Sequence, residues 1–165
     1  MSETTDDLNI QNDTTGVSND ISNSEKYLIF TIFDKLYSFP SRFIGEIALF
    51  ETVYPLPLMP PYVTGVVNRY SIPYALFDIG LLFFNTPSTR KKVLIVKDEI
   101  DRIAFLIDDI AGIADIPVNN IMTMERCESS SDLSETVSAS FKWNNNDVFV
   151  LDIHRILSRV SGDIV

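Results

Sequence analysis

The sequence predicts an all-β domain with a short helical turn, a closing C-terminal helix and a polar N-terminal tail. Three observations carry that reading. From Tyr27 onward, short runs rich in aromatic and β-branched residues are broken by turn signals about every eight to twelve residues, the texture of a sandwich or barrel. Only one segment, near the C-terminus, spaces its apolar residues as a helix does. At 165 residues the chain is long enough for one domain with a real core.

Residues 1–25 hold twelve Ser, Thr or Asn and six acids, with Leu8, Ile10, Val17 and Ile21 as the sizeable apolar side chains. So little apolar surface cannot offset the entropy of ordering, so a disordered acidic tail is expected over 1–26, ahead of a domain over 27–165. "YLIFTIF" (27–33) and "LYSF" (36–39) flank Asp34-Lys35 as the strands of a hairpin would. A helical turn near Ser41 leads into a strand in "GEIALFETV" (45–53). In "YPLPLMPPY" (54–62) four prolines remove backbone donors and fix φ, giving a rigid crossing loop, although Pro57 and Pro60 also have the PxxP form of a proline-rich ligand.

"GVVNRYSIPYALFDIG" (65–80) reads as two strands around a polar turn at Asn68, Arg69, Tyr70 and Ser71. "KVLIVKD" (92–98) and "RIAFLIDDIAGIADI" (102–116) surround a turn at Glu99 to Asp101. "VSASFKW" (137–143) faces "DVFVLDI" (147–153) across Asn144, Asn145 and Asn146, residues that tolerate the left-handed conformation a tight hairpin needs. Asp152 is placed to cap a helix whose Ile153, Ile156, Leu157 and Val160 share one face.

The formal charge is −10, half of it in residues 1–26, which offers no electrostatic footprint for a polyanion. Nucleic acid and anionic lipid are thereby disfavoured as partners. No apolar run approaches the roughly 18 residues of a membrane span, so no direct membrane insertion is expected. A lone cysteine, Cys127, allows no internal disulfide and fits a reducing, cytoplasmic setting; Glu125 and Glu128 beside it oppose the activating effect of Arg126.

Chemistry is sparse. His154 is the single histidine, no metal-ligand spacing surrounds it, and no GxGxxG, P-loop or GxSxG occurs. The expectation is therefore no catalytic residue, no cofactor and no metal. Asp108 and Asp109 are neighbours that point to opposite faces of an extended chain, and Asp98-Glu99 sits at a strand end as in a phosphorylatable receiver, whose alternating helices this chain lacks. A small acidic β-barrel enzyme using Asp78 or Asp108 is the alternative from another class. Arg90, Lys91 and Lys92 read as a solvated loop end. Eleven Phe and six Tyr, several near turns (Phe33, Phe50, Tyr54, Tyr62, Tyr70), serve either the core or a partner.

Taken jointly, "YLIFTIFDKLYSF", Ile44-Gly45-Glu46-Ile47, Val53, Pro57, Pro60, "YVTGVVN", Asp78, "KVLIVKDEIDRIAFLIDDI" and "DVFVLDIHRIL" resemble, in order and spacing over about 27–160, the CheW-like domains that couple bacterial chemotaxis arrays. The resemblance implies two small five-stranded SH3-like β-barrels packed side by side around a shared core. It implies a non-enzymatic adaptor in the cytoplasm, at receptor arrays beneath the inner membrane, linking methyl-accepting chemoreceptor tips to the regulatory domain of the histidine kinase CheA. Other CheW-like proteins, assembled in rings, are further implied partners. An adaptor for another chemosensory system, serving pili or surface motility, is the runner-up.

The implied partner-binding residues are Ile44, Glu46, Gly65, Asn68, Arg69 and Tyr70. Where the family has Asn-Leu-Arg-Gly, this chain has Asn68-Arg69-Tyr70-Ser71, so the family arginine is Tyr70 and Arg69 lies one place off. Ala75 stands where the family has proline, and Ser138 where it usually has glycine.

Overall fold

A computed structural model describes residues 23–50, 52–89, 92–97, 101–124 and 132–164. The first half of the chain forms β1 (Ser24–Ile32), β2 (Lys35–Pro40), a 3-10 turn (Ser41–Phe43), β3 (Ile44–Ala48), β4 (Val63–Arg69), β5 (Ile72–Asp78) and α1 (Ile79–Phe84). The second half forms β6 (Lys92–Val96), β7 (Ile103–Ile107), β8 (Asp109–Pro117), a 3-10 turn (Val118–Asn120), β9 (Met122–Thr123), α2 (Asp132–Thr136), β10 (Val137–Trp143), β11 (Asn146–Leu151) and α3 (Ile153–Ile164).

These strands make two sheets, of order β8-β1-β2-β11-β10-β9 and β3-β6-β7-β5-β4. Pairing is antiparallel except between β2 and β11 and between β5 and β7. The two orders reveal an internal repeat. In each half a hairpin (β1-β2, β6-β7) is followed by a strand that leaves it and pairs with the other half's hairpin: β3 joins β6, and β8 joins β1. A second hairpin (β4-β5, β10-β11) then joins that same sheet, β5 pairing with β7 and β11 with β2, and a helix follows it.

Residues 63–78 and 137–152 correspond without a gap. Both begin with a register shift after their first residue, at Val63/Gly65 and Val137/Ala139. Both turn on two residues of positive φ, Tyr70-Ser71 and Asn144-Asn145, and both end on an aspartate at the head of a helix, Asp78 and Asp152. The β1-β2 turn, Phe33-Asp34 (φ 49° and 63°), is of the same two-residue type and lies one residue earlier than expected.

Alternation along the strands explains the unbroken apolar runs. Leu28, Phe30 and Ile32 of β1 and Ile103, Phe105 and Ile107 of β7 enter one core shared by the two sheets and the buried face of α3, formed by Ile153, Ile156 and Val160. The intervening Tyr27 and Ile29 enter a second cluster, with Phe141, Val148 and Val150, on the far face of the six-stranded sheet. Ala104 and Leu106 enter a third, with Val67, Leu76, Val93 and Ile95, on the far face of the five-stranded sheet. Strands buried on both faces lose the apolar–polar alternation of a half-exposed sheet.

The all-β class holds, with differences in detail. The sheets have six and five strands and neither closes into a fully hydrogen-bonded barrel. The strand expected over 45–53 ends at Ala48, and the run 102–116 is two strands meeting at Asp108. Helix α1 is unforeseen, because "IGLLFF" has too few residues to display a helical period. Strand β1 begins at Ser24, so residues 24–26 of the expected tail are paired with β8, while 1–22 lie outside the described residues. The expectations for Cys127, Arg90, Lys91, Asp98 and Glu99 also fall outside them.

Candidate functional site

Strands β3 and β4 are the two edges of the five-stranded sheet, yet the sheet curls enough for them to meet. Beyond β3 the chain returns so that Tyr54 and Val66 exchange backbone hydrogen bonds, at 2.9 and 2.8 Å. At the other end of β4, Arg69 Nε donates to Glu46 Oε2 at 3.1 Å and a second guanidinium nitrogen donates to Glu46 Oε1. The two-pronged geometry suits a planar guanidinium facing a carboxylate. The hydrogen bond to Glu46 raises the Arg69 pKa further.

The Arg69 guanidinium carbon lies against one face of the Tyr70 ring, 4.3 Å from its centre. Tyr70 occupies the first position of the β4-β5 turn at φ 50° and is 79% exposed, so the far side of its ring faces solvent. Beside it is a shallow depression of about 390 Å³ lined by Glu46, Arg69, Tyr70, Ile72, Tyr74 and, on the opposite rim, Lys97 and Arg102. The side chains of Lys97 and Arg102 form no ion pair among the described residues. The floor beside Lys97 is bare because β3 carries Gly45 at its register shift.

Three of the six expected partner residues, Glu46, Arg69 and Tyr70, therefore share one surface. Ile44 is half-buried, pairs with Val96 and packs on the shared core. Asn68 is exposed next to Arg69 but does not line the depression. Gly65 has a structural role: at φ +144° a side chain there is strained, and a Cβ would stand 2.2 Å from the Tyr54 carbonyl oxygen that bonds Val66. Ile72, Tyr74, Lys97 and Arg102 were not expected at the site. Ile72 and Tyr74 alternate along β5 and could have been grouped by period, whereas nothing local joins the β6-β7 hairpin ends to β4.

The acids proposed for catalysis are engaged in holding backbone. Asp78 accepts from Leu81 N (3.2 Å), Ser88 N (3.1 Å) and Ser88 Oγ (2.7 Å), capping α1 and fastening the loop after it. Asp108 accepts from Phe33 N (2.8 Å) and Thr89 N (2.9 Å). Both carboxylates thus fix the segment between α1 and β6. Asp109 points elsewhere, pairing with Lys92, as the opposite-face reading requires. No cluster of His, Cys, Asp or Glu among the described residues could hold a metal ion. His154 sits edge-on to Phe43, with ring centres 5.8 Å apart.

The proline-rich loop does not present an extended proline-type ligand. Leu58, inside the PxxP form, has φ 60° and turns the chain. The aromatic residues divide: Tyr62 is buried and Phe33 packs on the core, whereas Tyr54 and Tyr70 are exposed. No helix among the described residues is long and apolar enough to cross a membrane.

A family model described as the CheW-like domain matches residues 26–161. Among solved structures, the fold is similar to the crystal structure of the scaffolding protein TtCheW from Thermoanaerobacter tengcongensis, with a TM-score of 0.70 and 14% identity over 79% of this chain and 85% of that one. No curated protein sequence matches.

Proposed function

The chain belongs to the CheW-like domain family, and from that premise we propose that it is a coupling adaptor joining the cytoplasmic tips of chemoreceptors to the regulatory domain of a CheA-type histidine kinase, without catalysis of its own. The observation that carries this reading is the extent of the family match, residues 26–161, which spans both sheets and the closing helix. Three features of the chain support it. The carboxylates Asp78 and Asp108, which an enzyme of this composition would have to use, are occupied as backbone acceptors. The most exposed aromatic side chain, Tyr70, stands beside a shallow open depression, a form suited to protein contact rather than to enclosing a small substrate. And the face that holds Glu46, Arg69 and Tyr70 is fixed by backbone pairing on one side and an ion pair on the other, so it is preorganised for a partner.

The pairing Glu46–Arg69 gives Glu46 a defined part: it holds Arg69 under Tyr70 and holds β3 against β4. The test is reconstitution. Kinase autophosphorylation is measured with receptor-bearing membranes from the same organism, with and without the full-length chain, alongside calorimetric titration of the chain into the kinase regulatory domain and into a receptor-tip fragment. Receptor-dependent kinase control that requires the chain, with pairwise binding in the micromolar range typical of reversible multivalent assemblies, is the expected result. Binding to neither partner refutes the reading.

A further inference from the structure

The two equivalent hairpins of the repeat provide an internal comparison. At its two left-handed turn positions the β10-β11 hairpin has Asn144-Asn145, the residue type that enters this conformation most readily after glycine. At the same positions the β4-β5 hairpin has Tyr70-Ser71. A bulky aromatic residue is unfavourable there, and core burial does not compensate: Tyr70 is 79% exposed, with its ring against the guanidinium of its own neighbour, Arg69. The residue that precedes each turn differs in keeping. Trp143 reaches across to the bare backbone of Gly112 on β8, whereas Arg69 reaches across to Glu46 on β3 and supports the Tyr70 ring.

We infer that Tyr70 is the specificity anchor of the coupling face: its exposed ring side, with Ile72 and Tyr74, receives an apolar or aromatic side chain of a partner protein, and a partner carboxylate next to that side chain meets Lys97 or Arg102. The inference rests on the coupling reading above and names the chemistry of the partner at that site. The ring is held flat by the guanidinium beneath it, Ile72 extends the apolar surface at 37% exposure, and the depression between ring and rim has room for one large side chain. Glu46 is already neutralised by Arg69, so the charges in the lining that have no ion-pair partner among the described residues are the cations Lys97 and Arg102. A partner segment combining an apolar knob with a carboxylate matches both features.

The test uses the full chain and the kinase regulatory domain and receptor-tip fragment as probes, with binding and thermal stability measured on each variant. Tyr70→Asn installs the residue of the equivalent turn, so a purely structural Tyr70 predicts unchanged or raised stability and unchanged binding. The anchor predicts the same stability with at least a tenfold loss of affinity for one probe, while Tyr70→Phe stays within twofold of wild type. Lys97→Glu with Arg102→Glu is expected to weaken the same probe at least tenfold and to reduce the salt dependence of its binding. Wild-type binding that survives Tyr70→Asn overturns the anchor and leaves the coupling reading standing. Absence of wild-type binding to either probe overturns the coupling reading itself. Self-association that is lost on Tyr70→Asn, with both probes unaffected, assigns the face to a second copy of this chain and also overturns the proposal.

Discussion

Replacing Asp78 by Ala tests whether the repeat's two helix-capping aspartates differ as their surroundings require. Asp78 is 2% exposed and accepts from three donors: Leu81 N at the first turn of α1, and the amide and hydroxyl of Ser88, itself buried. Losing a cap costs about 1 kcal/mol. Leaving the two Ser88 donors buried without an acceptor adds roughly 1–3 kcal/mol for each that finds no water. With both donors stranded the expected loss is about 3–7 kcal/mol, a large part of the roughly 5–15 kcal/mol that holds a domain folded. Asp152, its counterpart, accepts from His154 N (2.9 Å) and Arg155 N (3.2 Å), stands 3.6 Å from the Arg155 guanidinium and is partly exposed. Water can replace it, so Asp152→Ala should cost only about 1 kcal/mol. Urea unfolding followed by the fluorescence of Trp143, the single tryptophan, and by circular dichroism reads both values. The midpoint should fall with the slope preserved. Equal losses for the two variants, or an Asp78→Ala loss of under about 1.5 kcal/mol, would refute the argument that the Ser88 loop hangs on Asp78.

Two further outcomes follow from the geometry. Glu46→Arg and Arg69→Glu should each weaken partner binding, and the double charge swap should recover most of it, because the pair's function is to hold one edge of the sheet to the other; a double variant no better than the singles, by calorimetry, would count against that clasp. Tyr62 donates to Asp163 Oδ2 at 2.9 Å, and burial first, then this hydrogen bond and the Asp163 charge, push its phenol up to about 12, against a smaller opposing effect of Arg159. The folded value lies above the unfolded one, near 10, so its contribution to stability is fully present below pH 10 and is lost as pH rises through about 12. Denaturant midpoints between pH 9 and 12 should fall less steeply in Tyr62→Phe than in the wild type.

Much of the architecture was legible because it is written in local chemistry. The Asn144-Asn145 turn, the prolines that interrupt 54–62 and the Asp152 cap each act within a few residues, and each stands where the sequence places it. The repeat was not legible, since 63–78 and 137–152 share little beyond Val63/Val137 and Asp78/Asp152; what they share is a pattern of burial and a turn. Helix α1 is not legible because its signal is one capping aspartate ahead of an apolar stretch that would serve equally as a strand. At the site, the family resemblance pointed to Glu46 and to Tyr70, but that Arg69 would turn toward Glu46 depends on the curl of a sheet, which no spacing in one chain encodes. Gly65 was placed at the site by its position in the motif, and its cause is the close approach of Tyr54 from the crossing loop.

The exchange of β3 and β8 between the two hairpins has a mechanical consequence. Neither half of the chain owns a complete sheet: each sheet joins the first hairpin of one half to the later strands of the other. A load applied to either sheet therefore falls on backbone from both halves. On the coupling reading proposed above, that is the property of a rivet: a displacement delivered at one face is carried to the other through backbone that both halves share.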